Sequence, residues 1–234
     1  MKENIDSGCM ILFVKAPAVG RVKTRLAESI GGRAALFLYR AFVEDILDAI
    51  SATDLRLRIF YYPPEDGGLV RRWIGGGPRL FAQQGDDLGA RMHDAFCRTA
   101  QEGFERIVLA GSDIPEIDES IIKAAFSALE THPAVIGPAE DGGYYLVGLR
   151  AESVCRQVFS GIDWGTDRVL DQSLERFGGP ACKHRKSPQA GQGAVMAGTG
   201  GKTGQGRDKV SSFCRSSLSP ARLGTNHSGP SGSI

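Results

Sequence analysis

The 234-residue sequence predicts an α/β domain in three layers, a mostly parallel sheet covered on both faces by helices. Three observations carry that reading. Short apolar runs alternate with stretches of helical periodicity, the order expected of strand–helix–strand crossovers. The first run, Cys9 to Val14, is continuously apolar, as a strand buried on both faces must be. Cations, carboxylates and glycines gather just past the carboxyl ends of these runs, which is where open α/β sheets hold their ligands.

Taken in order, the first strand is predicted over Met10–Lys15, and Thr24-Arg25-Leu26 starts a helix after a loop shaped by Pro17 and Gly20. Arg33–Ile50 reads as a helix with Ala34, Phe37, Leu38, Ala41, Val43, Ile46 and Leu47 on a broad apolar face. Strands follow at Leu57–Tyr62 and Arg79–Gln83, then a helix over Asp87–Glu102 with Asp86 or Asp87 as N-cap. Arg106–Ala110 reads as a central strand, and Asp118–Leu129 as a helix capped by Asp118. Ala134–Gly137 and Tyr144–Leu149 are the last two strands. The short turn between them permits an antiparallel departure from the parallel pattern.

Composition divides the chain at about residue 177. Up to Phe177 there are 20 Lys and Arg against 26 Asp and Glu, a net charge of −6, whereas residues 178–234 carry 8 against Asp208 alone, a net of +7. That last segment holds 12 glycines and seven large apolar residues and shows no periodicity, so it is expected to be a disordered basic tail behind a single domain spanning 1–177. Its Gly200-Gly201-Lys202-Thr203 imitates the end of a phosphate-binding P-loop. However, position 196 is Met196 where that motif needs Gly, and no strand or helix pattern flanks it. Five scattered cysteines without a CxxC pair argue against a zinc ribbon or a disulfide framework, and the four histidines form no ligand-spaced pair. No leader-like segment or membrane-length apolar run is visible, so a reduced, cytoplasmic, soluble protein is the expectation.

The segment FVKAPAVGRVKTRL, Phe13 to Leu26, carries Lys15, Arg21, Lys23 and Arg25 on one loop. A glycine turn and a helix start offer backbone N–H groups to anions, and the side chains add full charges, so the loop suits a polyphosphate. Lys15, Ala16, Gly20, Lys23 and Arg25 are the candidate phosphate-binding residues. In IVLAGSDIPEI, Ile107 to Ile117, Gly111 and Ser112 join that set, and Asp113 emerges past the strand end, where a carboxylate can hold Mg²⁺ or Mn²⁺ on a diphosphate. GPAEDGGYYLVGL presents Asp141, Gly142, Gly143 and Tyr144, and the loop Ile162–Thr166 presents Trp164; these are candidate substrate contacts. Alternation puts one of Tyr144 and Tyr145 in the core. No Ser/His/Asp or Cys/His nucleophile system is present, and the inventory suits phosphoryl-centred transfer by positioning and charge neutralisation, with Lys23, Arg25 and Asp113 as the catalytic candidates.

FVKAPAVGRVKTRL, QGDDLGARM, GSDIPEI, GPAEDGGYYLVGL and DWGTDRVL, in this order, resemble the bacterial family of glycosyltransferase A-like proteins grouped with nucleotide-diphospho-sugar transferases. That family is related in fold to the molybdenum-cofactor and phospholactate guanylyltransferases. The resemblance covers about the first three quarters of the chain. It implies a Rossmann-like GT-A fold that binds a nucleoside di- or triphosphate with Mg²⁺. By position, Lys15, Gly20, Lys23 and Arg25 match the family's phosphate-binding segment, and Asp113 matches its metal-holding carboxylate. The resemblance stops after Glu175. Relatives continue with a strand and an acidic segment resembling Asp-Val-Asp that can supply a second carboxylate; here Gly179-Pro180-Ala181-Cys182-Lys183 and the basic tail follow, an expectation of a frameshift or an artificial C-terminus.

These readings lead to a Mg²⁺-dependent nucleotidyl- or glycosyltransferase acting on a nucleoside triphosphate or nucleotide-sugar and a small acceptor. A nucleotide-binding module without turnover is the alternative. Nucleic-acid binding by the tail ranks last, because aromatics are not interleaved with its cations and the body is acidic.

Overall fold

The computed structural model describes residues 8–114 and 116–178 together with the two-residue strand Val195–Met196. Its strands are β1 (Gly8–Lys15), β2 (Arg56–Tyr62), β3 (Arg79–Ala82), β4 (Arg106–Gly111), β5 (Ala134–Pro138), β6 (Tyr144–Arg150) and β7 (Val195–Met196). They form one sheet in the order β3-β2-β1-β4-β6-β5-β7. β1 pairs in parallel with β2 and β4, and β2 with β3. β6 runs antiparallel to both β4 and β5, the departure from the parallel pattern that the short turn permits. Helices α1 (Thr24–Ile30), α2 (Gly32–Ser51), α3 (Gly67–Ile74), α4 (Leu88–Gln101), α5 (Glu119–Thr131) and α6 (Val169–Gly178) connect them.

β1 is the centre of the sheet, and its alternation feeds two cores. Met10, Leu12 and Val14 face a cluster with Tyr39, Val43 and Ile46 of α2 and Ile122 and Phe126 of α5. Cys9, Ile11 and Phe13 face the other side, with Met92, Ala95 and Phe96 of α4 and Val158, Phe159 and Phe177. Residues with period 2 on a strand therefore divide between helix layers, which makes the three-layer arrangement. Ile11 and Leu12 are fully buried, so truncating either to Ala costs about 2–5 kcal/mol.

Strand and helix ends fall within two residues of expectation, and the two N-caps are as read. Asp87 accepts a hydrogen bond from the Ala90 amide (2.7 Å), and Asp118 from the Ile121 amide (2.8 Å). The apolar face of α2 differs from expectation. Ala35, Tyr39, Val43, Ile46 and Ile50 are buried, whereas Phe37 is 73% exposed. The true stripe repeats every three to four residues through Tyr39, a side chain with an apolar body and a polar tip. α3 and α6 were not anticipated as helices. Of the basic tail, Gly178 closes α6 and Val195–Met196 pairs in parallel with β5. The rest of the tail, including residues 200–203, lies outside the described residues. No described helix is long and apolar enough to cross a membrane.

Candidate active site

The site is built on the carboxyl ends of β1 and β4. Phe13 of β1 is the register partner of Gly111 of β4, so Lys15 and Asp113, each two residues further, leave the sheet side by side. After Lys15 the Ala16 amide donates to the Tyr62 carbonyl (2.8 Å), which prolongs the β1–β2 ladder by one bond. The chain then turns: the Arg21 amide donates to Ala18 carbonyl oxygen (3.1 Å) across Gly20, whose φ of 78° is the left-handed backbone a glycine adopts freely. Val22 is buried and anchors the loop in the core.

Lys23 is the pivot of the arrangement. It caps α1 with φ 48° and ψ 46°, the one non-glycine residue with positive φ among the described residues. Such a backbone costs a side chain about 1–3 kcal/mol and persists where surrounding contacts hold it. Here the holding contacts come from the other strand end. Lys23 Nζ lies 3.0 Å from Asp113 Oδ1, donates to the Asp113 carbonyl oxygen (2.9 Å), and sits 5.3 Å from the centre of the Phe42 ring. The Lys23 side chain is 18% exposed and that of Asp113 61%. Arg21, outside the predicted set, pairs instead with Asp66 (2.8 Å). Lys15 and Arg25 are exposed, and among the described residues their cationic groups have no hydrogen bond or ion pair.

Tyr39 of α2 joins the two strand ends from below. Its hydroxyl accepts from the Lys15 amide (2.7 Å), donates to the Lys15 carbonyl (3.1 Å), and lies 3.1 Å from the buried Ser112 hydroxyl. Burial pushes the phenol up to about 12, against the Ser112 and Lys15 hydrogen bonds, so it stays protonated through the neutral range. No motif in the sequence pointed to this residue; the helical period of α2, followed through Tyr39, is the signal that could have found it.

The remaining predicted residues emerge at the same end of the sheet, because β6 enters it beside the end of β4, with Leu146 opposite Ala110. They do not bond to the basic loop among the described residues. Gly142, with φ 81°, lets the β5–β6 turn press against the backbone of Asp167; a Cβ there would overlap the Asp167 carbonyl. Its own carbonyl accepts from the Leu170 amide (2.8 Å), so the turn positions α6. Asp141 Oδ1 accepts from the Gly143 amide (3.1 Å). Tyr144 stacks edge-on against Trp164 (6.3 Å), and burial pushes its phenol above the ordinary range. Tyr145 is buried on the opposite face, so both tyrosines are engaged in packing. Trp164 lies over Gly89 of α4, where a Cβ would stand 2.9 Å from the indole, which links the GDDLGARM and DWGTDRVL segments physically.

Arg91 lies 4.0 Å from the centre of the Tyr62 ring, at the end of β2, and donates through Nε to the Gly85 carbonyl (3.0 Å). Among the described residues no group of three or more His, Cys, Asp or Glu could hold a metal ion by itself.

Residues 46–166 match the model of a bacterial family described as "Uncharacterized protein conserved in bacteria (DUF2064)". No curated protein matches the chain. Among solved structures, a "putative nucleotide-diphospho-sugar transferase" from Desulfovibrio desulfuricans G20 is 37% identical, with a TM-score of 0.73 over 81% of this chain and 79% of that one. The 4-diphosphocytidyl-2C-methyl-D-erythritol synthase of Anaerococcus prevotii DSM 20548 is 14% identical, with a TM-score of 0.49 over 82% and 88%. A cytidylyltransferase from Leptospira borgpetersenii serovar Hardjo-bovis is 12% identical, with a TM-score of 0.46 over 73% and 71%.

Proposed function

The chain belongs to the bacterial DUF2064 family, and from that premise we propose that it is a transferase acting on a nucleotide diphosphate group. In this reading it binds a nucleoside triphosphate or nucleotide-sugar with Mg²⁺ or Mn²⁺ and passes a nucleotidyl or glycosyl group to a small acceptor. One observation carries it: a basic loop and a carboxylate from two adjacent parallel strands meet at the sheet's carboxyl end, with Lys23 Nζ 3.0 Å from Asp113 Oδ1. The 37% identity to a protein described as a nucleotide-diphospho-sugar transferase supports the same class.

Lys15, Lys23 and Arg25 bind the diphosphate and neutralise the charge that grows on it as it leaves. Two of these cations, Lys15 and Arg25, have no other partner among the described residues, so engaging them costs no existing bond. Asp113 would hold the metal ion, which, when bound, draws charge from the diphosphate and makes it a better leaving group. In nucleotidyl transfer an acceptor oxygen forms a bond to the α-phosphorus, the α–β bridging P–O bond breaks, and pyrophosphate takes the electron pair. In glycosyl transfer the acceptor oxygen attacks the anomeric carbon and the nucleoside diphosphate leaves. The Asp141–Tyr144 turn and Trp164, at the same end, would face the acceptor side.

The test is a panel of nucleoside triphosphates and nucleotide-sugars with Mg²⁺. Thermal stabilisation reports binding, and release of pyrophosphate or nucleoside diphosphate reports transfer. Failure of every nucleotide to stabilise the protein would end this reading.

A further inference from the structure

We infer that Tyr39 is a positioning residue that ties the phosphate-binding loop to the metal-binding loop and thereby couples nucleotide to metal. The inference rests on the proposed function and deepens it. Lys15 is the last residue of β1, and Ser112 lies one residue past β4, so both stand where the ladder no longer fixes their separation. The Tyr39 hydroxyl bonds both: the amide and carbonyl of Lys15 at 2.7 and 3.1 Å, and the Ser112 hydroxyl at 3.1 Å. Its ring is 1% exposed and packs 5.8 Å from the Trp73 ring, so the hydroxyl is delivered from a rigid seat. From Lys15 the chain leads to Lys23, and from Ser112 directly to Asp113. A fixed separation between the two loops lets Lys23 and Asp113 address the same diphosphate, one through its oxygens and the other through its metal ion. Ligands that meet at one pair of side chains couple through the relative position of those side chains, and small displacements of a positioned group are expensive.

Tyr39→Phe keeps the ring and its packing and removes the three contacts. Nucleotide affinity is measured by calorimetry with CTP, GTP and UDP-glucose, each with and without Mg²⁺, on the full chain. The enhancement of affinity by Mg²⁺ is expected to fall about tenfold in the variant, within the usual range of ligand coupling, while metal-free affinity changes less than about twofold. Ser112→Ala should move the enhancement in the same direction by less. Amide hydrogen exchange without ligand should quicken at residues 15 and 111–113 and stay unchanged in β2 and β3. A general loss of stability lowers the melting temperature alike with and without metal, so it does not mimic this pattern. An unchanged Mg²⁺ enhancement, or unchanged exchange at Lys15, overturns the inference. Wild-type protein that binds no nucleoside triphosphate or nucleotide-sugar of the panel sinks the proposed function instead, and exchange at Lys15 alone then decides whether the tether exists.

Discussion

Replacing Lys23 by Met separates the two roles the site gives this side chain. In the ligand-free protein the ammonium contributes one ion pair and one carbonyl contact, at 3.0 and 2.9 Å. Two unit charges about 3 Å apart are worth about 1.4 kcal/mol in bulk water and about 5 kcal/mol at an effective dielectric of 20. Asp113 is 61% exposed, which places the pair near the water limit. The entropy of fixing two long side chains reduces it further, to about 0.2–1 kcal/mol for comparable surface pairs. The carbonyl contact brings the expected loss to about 1 kcal/mol, or about 2–4 °C in melting temperature. Against a bound diphosphate the same ammonium makes a charge-assisted hydrogen bond worth about 1.5–3 kcal/mol, so nucleotide affinity should fall about 10- to 150-fold. Calorimetric titration with and without Mg²⁺, set beside urea unfolding, reads both numbers. Weakened binding in both titrations is expected, because Lys23 meets phosphate whether or not a metal is present. Asp113→Asn, by contrast, should remove the Mg²⁺ dependence. Several kcal/mol of lost stability with unchanged binding would make Lys23 a structural residue, and an unchanged Mg²⁺ response in Asp113→Asn would refute the metal assignment.

The glycines at the two loop contacts should be intolerant of a methyl group. Gly142→Ala meets the Asp167 carbonyl at φ 81°, and Gly89→Ala meets the Phe159 carbonyl and the Trp164 indole, so each should cost more than about 2 kcal/mol in urea unfolding. Stability in both variants equal to wild type would mean that the two loops are not packed as described. Burial of Asp118 opposes its charge, but bonds from the Ser120 hydroxyl and the Ile121 amide outweigh this and hold its carboxyl below the ordinary range. A depressed carboxyl contributes stability above the unfolded value, near 4, that is lost as pH falls through the folded value. Asp118→Ala should therefore cost about 1 kcal/mol at pH 7, and progressively less as unfolding is measured toward pH 3 and below. Burial pushes the Cys9 thiol up to about 12, so iodoacetamide at pH 8 should label Cys9 only after unfolding, as read by peptide mapping; labelling of Cys9 in the native protein would contradict its burial.

β1, β4, β5 and β6 were legible because each is a burial pattern in itself. The eight residues of β1 include seven that are buried, and such a run has few alternatives. N-caps were legible because Asp87 and Asp118 each stand immediately before an amphipathic period, where an unpaired amide needs a carboxylate. The meeting of Lys23 with Asp113 was legible in outline, since both segments follow strands and ligands gather at strand ends. What was not legible depends on tertiary register. The backbone of Lys23 is left-handed because Asp113 and Phe42 hold its side chain, and neither is a sequence neighbour. The apolar face expected for α2 leaves out Tyr39, whose ring is core although its oxygen is polar, and so lies about one residue off the buried stripe at its N-terminal half. Gly142 and Trp164 were read as substrate contacts from their composition alone; the packing that also explains them, against Asp167 and Gly89, lies across chain segments that no local pattern connects.

Lys23 and Asp113 neutralise each other, and under the proposed function this pairing has a consequence for what the site would accept. A nucleotide without metal engages Lys23 by drawing it from Asp113, and leaves that carboxylate facing phosphates of like charge. A divalent cation without nucleotide meets a single carboxylate whose nearest neighbour is an ammonium, so like charges oppose its entry. Arriving together, a diphosphate and its cation supply the anion that Lys23 needs and the cation that Asp113 needs. One ion pair is then exchanged for two, and no charge is left unmatched. Lys15 and Arg25 are unpaired among the described residues and would favour the anion in either case, setting a baseline affinity that does not depend on metal. Under the proposed function, selectivity for the metal-bound form would reside in the difference between paired and unpaired cations on a single loop, and it would require the two strand ends to stay at the distance at which Lys23 can reach both partners.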